Sequence, residues 1–333
     1  MNILMVSAPY APTPPRGYAG IERVVYWYVE ELVRRGHRVT TMCVPGSTVS
    51  GERMEWDGGD MELHAHIREP VFGEWFTQHM LYDGSRYDIV HDHTHLKIPS
   101  QYCQRNHVPF LNTCHLPNPP FVVNAVALSH GHKLTVSTSA EIIHLGVPTI
   151  EYPFEHIKGS YFLYLGYVAP HKRVHLAIQA AKAAGVKLIV AGPYENFKDY
   201  FHNEVEPLLD KKHTYVGEVA GFQKLTLLNR AKAILLPINW MEPGSTVAFE
   251  ALASGTPVIG SAMGALVDIV TDSNIGRLIP VGPNELPEFI EAIQNPPTDY
   301  AACRKHVEER FSIASRIDKY EGLYEKVLDG ETW

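Results

Sequence analysis

The chain has 333 residues, of which 45% are hydrophobic and 20% are charged, so it is long enough for two soluble domains of ordinary size. A formal net charge of −8 argues against nucleic acid as the main partner and against strong attachment to anionic lipid. The apolar runs are far shorter than the ~20 residues of a membrane helix, and the first residues are typical of a buried strand rather than of a signal peptide. We therefore expect no transmembrane segment, at most peripheral membrane contact, and a cytoplasmic location.

The first half of the chain alternates short apolar runs with segments of helical periodicity, a pattern typical of a parallel sheet covered by helices. The strands predicted there are residues 2–7, 38–44, 62–67, 88–93, 110–114, 134–137 and 149–152. The first helix carries apolar residues on one face from Ile21 to Val33, and Gly36 stands where a left-handed C-terminal stop belongs. One Rossmann-like domain is therefore predicted over residues 1–153.

A second series of buried strands is predicted from residue 161 onward. Its strands are residues 161–166, 186–192, 214–217, 233–238, 257–260 and 276–281. Residues 153–160 are polar and contain the chain-breaking Pro153 and Gly159, so we expect a linker there. A second α/β domain is predicted over residues 160–311, and a last helix over 313–328 follows it, with apolar residues at helical spacing.

A motif within this second series carries the strongest functional signal. Glu242 precedes a Pro-Gly pair, and Ser245 or Thr246 can cap the short helix predicted over residues 247–254. Glu250 lies on that helix, eight positions after Glu242. Free N–H groups at a helix start attract an anionic diphosphate, and carboxylates accept hydrogen bonds from hydroxyl groups. The motif therefore suits a sugar nucleotide.

Residues 242–260 resemble the E-x7-E signature of the retaining glycosyltransferases of family 4, which have the two-domain GT-B fold. The resemblance implies two Rossmann-like domains that face each other across a deep interdomain cleft. It also implies that the C-terminal helix, within residues 313–333, crosses back to complete the N-terminal acceptor domain, while residues 160–311 bind the donor. From the residues alone, the alternative is an ordinary βαβ crossover with a solvated Glu242 and a surface-paired Glu250.

The resemblance implies transfer of a sugar, of the hexosyl type, from a nucleoside diphosphate sugar to an acceptor hydroxyl of unknown class. It implies retention at the anomeric carbon, favours a UDP-sugar as donor, and requires neither a metal nor another cofactor. Glu242 would hold hydroxyl groups of the sugar, and Glu250 would accept from the ribose hydroxyls. Gly244, Ser245 and Thr246 would present backbone amides to the sugar and the diphosphate.

Two cations follow the strand that is predicted to end at Gly166. Breaking an anomeric bond builds negative charge on the departing phosphate, and Lys172 is the cation expected to stabilise it as a catalytic and donor-binding residue. Relatives usually have Gly-Arg at this strand end, whereas Tyr167 follows Gly166 in this chain. Two interpretations stay open: Arg173 replaces the missing arginine from a new position, or Tyr167 only packs and the diphosphate is held less strongly.

The loop between the first strand and the first helix, residues 10–20, resembles the glycine loop of the same family. Ala19 and Gly20 stand where relatives often have two glycines, and a Glu-Arg pair follows at Glu22 and Arg23. Gly20 would allow the backbone to approach the donor phosphates or the acceptor, and a flexible turn is the alternative.

His115 closes a predicted strand at the position where many relatives place a histidine that faces the donor sugar, so the resemblance implies a catalytic role for it. His91, His93 and His95 alternate along another strand end, and alternate strand residues share a face on which a metal could bind. The family works without a bound divalent ion. We therefore expect structural or cleft-lining roles for these three histidines and no metal site.

Two other functions stay open. A catalytically weak or inactive nucleotide-sugar-binding protein of the same fold would explain the absence of an arginine at Tyr167. A sugar-nucleotide epimerase would need a base that removes a proton from the sugar, and His115 could serve as that base. An epimerase converts the donor alone, whereas a transferase at most hydrolyses it slowly.

Overall fold

The structure, a computed structural model, describes residues 1–56 and 65–333. The chain forms two compact units, Met1–Leu145 together with Ile313–Trp333, and Gly146–Ser312. Each unit contains one parallel β-sheet with helices between successive strands, which confirms the predicted α/β class with two Rossmann-like domains. No helix in the described ranges has both the length and the apolar composition that a membrane crossing requires.

Within the described residues, the sheet of the first unit has seven strands, and all of their pairings are parallel. They are β1 (Asn2–Val6), β2 (Arg38–Cys43), β3 (Glu52–Glu55), β4 (Ile89–Asp92), β5 (Phe110–Thr113), β6 (Ala125–Ala127) and β7 (Glu141–Ile142), in the spatial order β3-β2-β1-β4-β5-β6-β7. The helices in this part of the chain are α1 (Gly20–Arg34), α2 (Ala65–Asp83), α3 (Ile98–Arg105) and α4 (His130–Val136). Strands β1 and β4 lie at the centre and are almost entirely buried, as expected for a sheet covered on both faces.

Two of the predicted strands are helical instead. Residues 134–137 fall at the end of α4, because the Ser129 hydroxyl accepts a hydrogen bond from the His132 backbone N–H at 3.1 Å and caps a helix start. This cap and the tertiary packing override the local β propensity of the segment. Residues 149–152 contain a single 3₁₀ turn rather than a strand.

Other differences concern the edges of the first sheet. The strand predicted at 62–67 lies outside the described residues as far as position 64, and from Ala65 onward the chain is helical. Strands β3, β6 and β7 were not predicted. Strand β3 is mostly exposed and has charged residues at three of its four positions, so it shows no apolar run, and β6 and β7 have only three and two residues. The predicted stop of α1 is confirmed, since Gly36 has a left-handed φ of +90°.

The second unit has a six-stranded parallel sheet. Its strands are β8 (Tyr161–Leu165), β9 (Lys187–Ala191), β10 (His213–Tyr215), β11 (Ile234–Leu236), β12 (Val258–Ser261) and β13 (Gly276–Ile279), in the spatial order β10-β9-β8-β11-β12-β13. Its helices are α5 (Val174–Ala183), α6 (Lys198–Tyr200), α7 (Gly221–Arg230), α8 (Thr246–Ala253), α9 (Leu266–Ile269), α10 (Glu285–Gln294) and α11 (Tyr300–Arg310). All six strands predicted for this half are present, with ends that differ by a few residues.

The last helix, α12 (Ile313–Leu328), belongs to the first unit. Its buried face carries the apolar residues that the sequence places at helical spacing, Tyr320 and Tyr324 among them. The Tyr324 hydroxyl lies 2.7 Å from His91 Nδ1, and the Tyr320 hydroxyl lies 3.0 Å from Thr113 Oγ1. These buried hydrogen bonds attach α12 to strands β4 and β5.

The ends of β8 and β9 approach each other so closely that only glycine fits at Gly192. Gly192 has a φ of +144°, and a Cβ added to it would lie 1.8 Å from the carbonyl oxygen of Gly166. We expect Gly192→Ala to destabilise the second unit by about 2 kcal/mol, since the chain must shift to admit the methyl group. Gly185→Ala is the matched control: its φ is +73° but its added Cβ meets nothing within 4 Å, so only the backbone conformation costs about 1 kcal/mol. Urea unfolding measures both, and equal losses would show that the close approach is unimportant.

Candidate functional site

The glutamate motif lies in the loop after β11 and in helix α8. Ser245 stands at the N-cap and is buried, and its carbonyl oxygen accepts from the Ala248 N–H at 3.0 Å, but its side chain makes no capping hydrogen bond. Within the described part of the chain, no acceptor lies against the backbone N–H groups of Thr246 and Val247. The start of α8 therefore keeps free donors and the positive end of the helix dipole, which together suit an anion.

Glu242 lies at the entrance to this helix and is largely buried, with 13% of its side chain exposed. Its Oε2 atom forms an ion pair with Lys172 Nζ and accepts a hydrogen bond from Trp240 Nε1 at 2.6 Å. Lys172 Nζ also lies 4.9 Å from the centre of the Trp240 ring, within range of a cation–π interaction. The predicted acid and the predicted cation are thus brought together, and an unpredicted indole joins them.

The backbone of Glu242 is fixed by the loop after β12. Gly264 has a left-handed φ of +57°, and a Cβ added to it would lie 2.5 Å from the Glu242 nitrogen and 2.6 Å from its carbonyl oxygen. The Ala265 N–H donates to the same carbonyl at 2.9 Å. Two strand-to-helix loops thereby support each other at the carboxyl edge of the sheet, where open α/β sheets bind ligands.

Glu250 is buried on α8, with 3% of its surface exposed. Its Oε1 atom accepts from the Tyr152 hydroxyl at 2.8 Å and from Lys224 Nζ at 2.6 Å. A buried carboxylate needs such compensation, because an unpaired charge away from water is costly. The alternative interpretation placed Glu250 in an ion pair on the helix surface. The residue is indeed paired, but the pair is buried rather than on the surface.

The C-terminal end of α8 is held by two further cations. Lys158 Nζ donates to the Ser254 carbonyl at 2.9 Å, and Arg304 donates to the Ala253 carbonyl at 2.9 Å. Burial lowers the pKa of Lys158 to about 8. Positive charge at a helix C-terminus opposes the negative end of the dipole, so these contacts stabilise the helix that carries Glu250.

Arg173 is occupied by bonds within the second unit. Its guanidinium forms a two-pronged ion pair with the buried Glu285 and donates to the carbonyl oxygens of Pro237 and Ile238. It also donates to Ser261 Oγ at 3.2 Å. These contacts use most of its five N–H donors. A role as a replacement for the missing arginine would require several of them to break, so the contacts favour a structural role.

Tyr167, at the position where relatives usually have that arginine, contacts the edge of the Phe197 ring with 5.6 Å between ring centres. Its carbonyl oxygen accepts from the Tyr164 hydroxyl at 2.8 Å. Of the two interpretations left open by the sequence, packing by Tyr167 fits these contacts. Lys172 is then the cation of this segment that faces the glutamate motif.

In the first unit, His115 Nε2 lies 2.9 Å from His93 Nδ1. Burial lowers the pKa of His115 well below its usual range, and the nearby Lys97 ammonium lowers it further. The imidazole is therefore neutral at neutral pH and can donate or accept a hydrogen bond. Both nitrogens of His91 are already bonded, to Tyr324 and to Thr113, so His91, His93 and His95 do not offer three free ligand atoms to a metal.

The loop that contains Gly20 is held in place from inside the first unit. Gly20 is the first residue of α1, and the buried Glu22 follows in the first turn. Burial raises the pKa of Glu22 to about 7. The Arg23 guanidinium donates to the Pro15 carbonyl oxygen at 2.9 Å, and the Tyr10 hydroxyl donates to Glu69 at 2.6 Å. These anchors favour a preformed loop over a flexible turn.

Sequence reasoning missed several residues that complete the site in the second unit. Trp240, Lys224 and Tyr152 contact the two predicted glutamates, and Gly264 fixes the backbone of one of them. The sequence contained one signal for Trp240, an aromatic residue two positions before Glu242 in the same loop. Lys224 and Tyr152 lie outside the motif, 18 and 90 positions before Glu242, and Gly264 follows residues 242–260 by four positions; no local spacing ties these three residues to the glutamates.

Residues 153–310 match the family described as Glycosyl transferases group 1. Glycogen synthase from Mycobacterium tuberculosis is 28% identical over 174 residues, which are 49% of this chain and 41% of that protein. The chain therefore spans well under half of the length of this curated relative. The family match in the second unit supports a glycosyltransferase.

Solved structures of glycosyltransferases share the fold over the whole chain. AviGT4, a glycosyltransferase involved in avilamycin A biosynthesis, superposes with a TM-score of 0.82 at 24% identity and covers 100% of this chain and 99% of its own. Anabaena HepE, solved in complex with UDP and glucose, superposes with a TM-score of 0.74 at 14% identity over 98% of this chain and 100% of its own. At these identities the likeness establishes the GT-B fold.

Proposed function

We propose that this chain, whose residues 153–310 match a glycosyl transferase family, moves a sugar from a nucleoside diphosphate sugar to an acceptor hydroxyl. Transfer retains the configuration of the anomeric carbon and needs no metal, as in the glycosyltransferases of family 4 that the motif from Glu242 to Glu250 resembles. A UDP-sugar is the favoured donor, which the UDP-bound state of HepE supports. The observation that carries the proposal is the helix start with free N–H groups directly beside the Lys172–Glu242 pair.

The diphosphate is held at the start of α8. The backbone amides of Gly244, Ser245 and Thr246 donate to its oxygens, and the dipole of the helix adds attraction for the anion. Lys172 supplies the mobile positive charge, because its flexible side chain can turn from Glu242 to a phosphate oxygen. Burial of Glu250 on the same helix supports its role as acceptor for the ribose hydroxyls, since a carboxylate in such a site binds hydroxyl groups strongly.

Transfer forms a bond between the acceptor oxygen and the anomeric carbon while the bond from that carbon to the phosphate oxygen breaks. The acceptor proton passes to the departing phosphate on the same face of the sugar, so no carboxylate nucleophile is required. Lys172 and the amides of α8 stabilise the charge that develops on the phosphate. Glu242, already bonded through Oε2, acts as an acceptor for sugar hydroxyls rather than as a nucleophile. Its contacts orient the sugar for attack.

A catalytically weak nucleotide-sugar-binding protein is the second candidate function. The observation that favours it is that Tyr167 packs on Phe197 and Arg173 is bonded to Glu285, so neither of these residues offers a second cation beside Lys172. An epimerase is less well supported, because the proposed base His115 is bonded to another histidine, and burial and the nearby Lys97 lower its pKa and hence its basicity. Incubation with UDP-glucose alone separates the candidates: conversion of the sugar would indicate an epimerase.

The experiment that tests the proposal is calorimetric titration of UDP, GDP, ADP and dTDP without added metal. We expect one ribonucleotide to bind in the micromolar range and Glu250→Gln to weaken it about tenfold, because the amide loses a charge-assisted hydrogen bond from the ribose. dTDP, which lacks one ribose hydroxyl, should bind more weakly. Glu291→Gln is the matched control, since it removes the charge of an exposed carboxylate on α10.

Two further outcomes of this titration decide the proposal. Glu242→Gln should leave the affinity for the free nucleotide undiminished, because this residue is assigned to the sugar. If none of the four nucleotides binds to the wild-type protein, both the transferase and the nucleotide-binding interpretations are wrong.

A further inference from the structure

The carboxylate of Glu242 has two partners of different character, and both bind the same oxygen. Lys172 forms an ion pair with Oε2, and the indole N–H of Trp240 donates to Oε2 at 2.6 Å. Among the described residues, Oε1 has no donor in hydrogen-bonding contact. One oxygen is therefore held by the protein while the other is available to a ligand.

The Trp240 indole is held in place by the turn that also carries Lys172. The His171 ring packs on Trp240 in an edge-to-face arrangement with 5.0 Å between ring centres. The Asn239 N–H, directly before Trp240, donates to the His171 carbonyl at 2.9 Å. A ring fixed by packing and by the backbone presents its N–H in a constant direction, which is the requirement for positioning another side chain.

The two partners of Glu242 behave differently when an anionic donor arrives. Lys172 is attracted to the diphosphate and cannot keep the same ion pair while it stabilises the leaving group. The indole N–H is uncharged and is a donor only, so it neither competes for the phosphate nor repels it. It can keep its hydrogen bond to Oε2 throughout the reaction.

We propose that Trp240 is a positioning residue that holds Glu242 in place for the donor sugar once Lys172 has turned to the diphosphate. Trp240 bonds Oε2 and thereby directs Oε1 to the sugar hydroxyls. This inference rests on the proposed function and assigns to it a residue whose N–H acts through Glu242, not through the substrate. The role requires the N–H group, and the aromatic ring alone does not supply it.

The test compares Trp240→Phe with the wild-type protein in a transfer or donor-hydrolysis assay with UDP-glucose. Phenylalanine keeps a ring against His171 but lacks the N–H, so we expect kcat to fall about tenfold while the KM for the donor and the Kd for UDP stay within about twofold. Trp75→Phe, which changes a half-buried tryptophan in the core of the first unit, is the matched control and should leave kcat unchanged.

A double-mutant cycle with Glu242→Gln separates positioning from a general structural effect. If Trp240 acts through Glu242, Trp240→Phe lowers kcat in the wild-type background but has little further effect in Glu242→Gln. Additive losses in the two backgrounds would overturn the inference. An unchanged Kd for UDP shows in the same experiment that the second unit of each variant is folded.

The inference can also be tested by NMR with Trp240 unchanged, so that the test does not depend on whether Trp240→Phe folds. The chain has five tryptophans, so a ¹H–¹⁵N spectrum of the protein contains at most five indole N–H signals. One indole signal should shift in Glu242→Gln yet keep its hydrogen-bonded position in the wild-type protein when UDP is added. Movement of that signal, on addition of UDP, to the position that it has in Glu242→Gln would show that the bond breaks, and would overturn the inference. Failure of the wild-type protein to bind any of the four nucleotides would instead refute the proposed function.

Discussion

Glu242→Gln is expected to lower kcat for sugar transfer about 100-fold. The amide has almost the same size as the carboxylate, but it carries no charge and has an NH₂ donor group in place of one of the two acceptor oxygens. Hydrogen bonds from the sugar hydroxyls are then weakened most in the transition state, when charge separates between the sugar and the phosphate. The ion pair with Lys172 is also lost, so the position of that cation is no longer set by the acid.

The division of the effect between kcat and KM distinguishes the two glutamates. For Glu242→Gln we expect the loss in kcat, whereas for Glu250→Gln we expect a higher KM for the donor with kcat largely retained. Steady-state rates over a range of donor concentrations give both constants. A Glu242→Gln variant with normal kcat and raised KM would place this residue in ground-state binding only, and our assignment of Glu242 to the reacting sugar would be wrong.

Lowering the pH from 7 to 5 is expected to destabilise the first unit by at least about 4 kcal/mol, which is about 2 kcal/mol for each of His91, His95 and His132 less about 2 kcal/mol for Glu22. Burial lowers the pKa of His91 to about 3 and the pKa values of His95 and His132 to about 4, and the ammonium group of Lys97 lowers all three further. The same causes, with repulsion between neighbouring imidazoles, lower the pKa values of His93 and His115. The acid sensitivity therefore comes from a group of buried histidines around one buried lysine.

The sign of the effect follows from the two states of the chain. Histidine titrates near 6.5 when unfolded, so between pH 6.5 and about 4 the unfolded state binds protons that the folded state does not. Stability is complete above pH 6.5 and falls as the pH falls, by about 2 kcal/mol at pH 5 for each of His91, His95 and His132. Glu22 acts in the opposite direction, because burial raises its pKa to about 7 and the folded state gains its proton first. Its protonation offsets about 2 kcal/mol of the loss.

Hydrogen exchange of peptides from β1 and β4, corrected for the intrinsic exchange rate, measures this change in the first unit alone. Glu22→Gln removes the opposing group, so the loss between pH 7 and pH 5 should grow by about 2 kcal/mol, to at least about 6 kcal/mol. The same loss in the wild-type protein and in Glu22→Gln would refute the role given to Glu22. Protection that does not change with pH would refute the role given to the histidines.

The second unit could be predicted from the sequence more completely than the first, because its strands are bounded by glycine and proline and its helix start is a local motif. Strand positions and the entry to α8 follow from such short-range signals. In the first unit, a three-residue pattern of β-forming residues at 134–136 was outweighed by the Ser129 cap. The local helix or strand propensity of a segment determines its secondary structure only where no cap or tertiary contact opposes it.

Only those site residues that lie close together in the sequence could be predicted. The motif from Glu242 to Glu250 identifies the two acids, but their partners come from other loops: Lys172 from the loop after β8, and Lys224 from α7. Arg173 shows the limit most clearly. A cation at a strand end suits a phosphate, yet the Arg173 guanidinium is bonded to Glu285, which lies 112 positions further along the chain. Pairings of this kind depend on the tertiary fold, which spacing in the sequence does not encode.

The whole second unit lies within the first unit along the chain. Helix α12 packs on strands β4 and β5, which precede it by about 200 residues. A ribosome that synthesises this protein therefore completes Gly146–Ser312 before it makes the helix that the first unit lacks. Until α12 emerges, His91 and Thr113 have no tyrosine hydroxyls beside them and the face of β4 and β5 that α12 covers is open. The second unit can thus finish folding first, against the usual order in which the N-terminal domain leads.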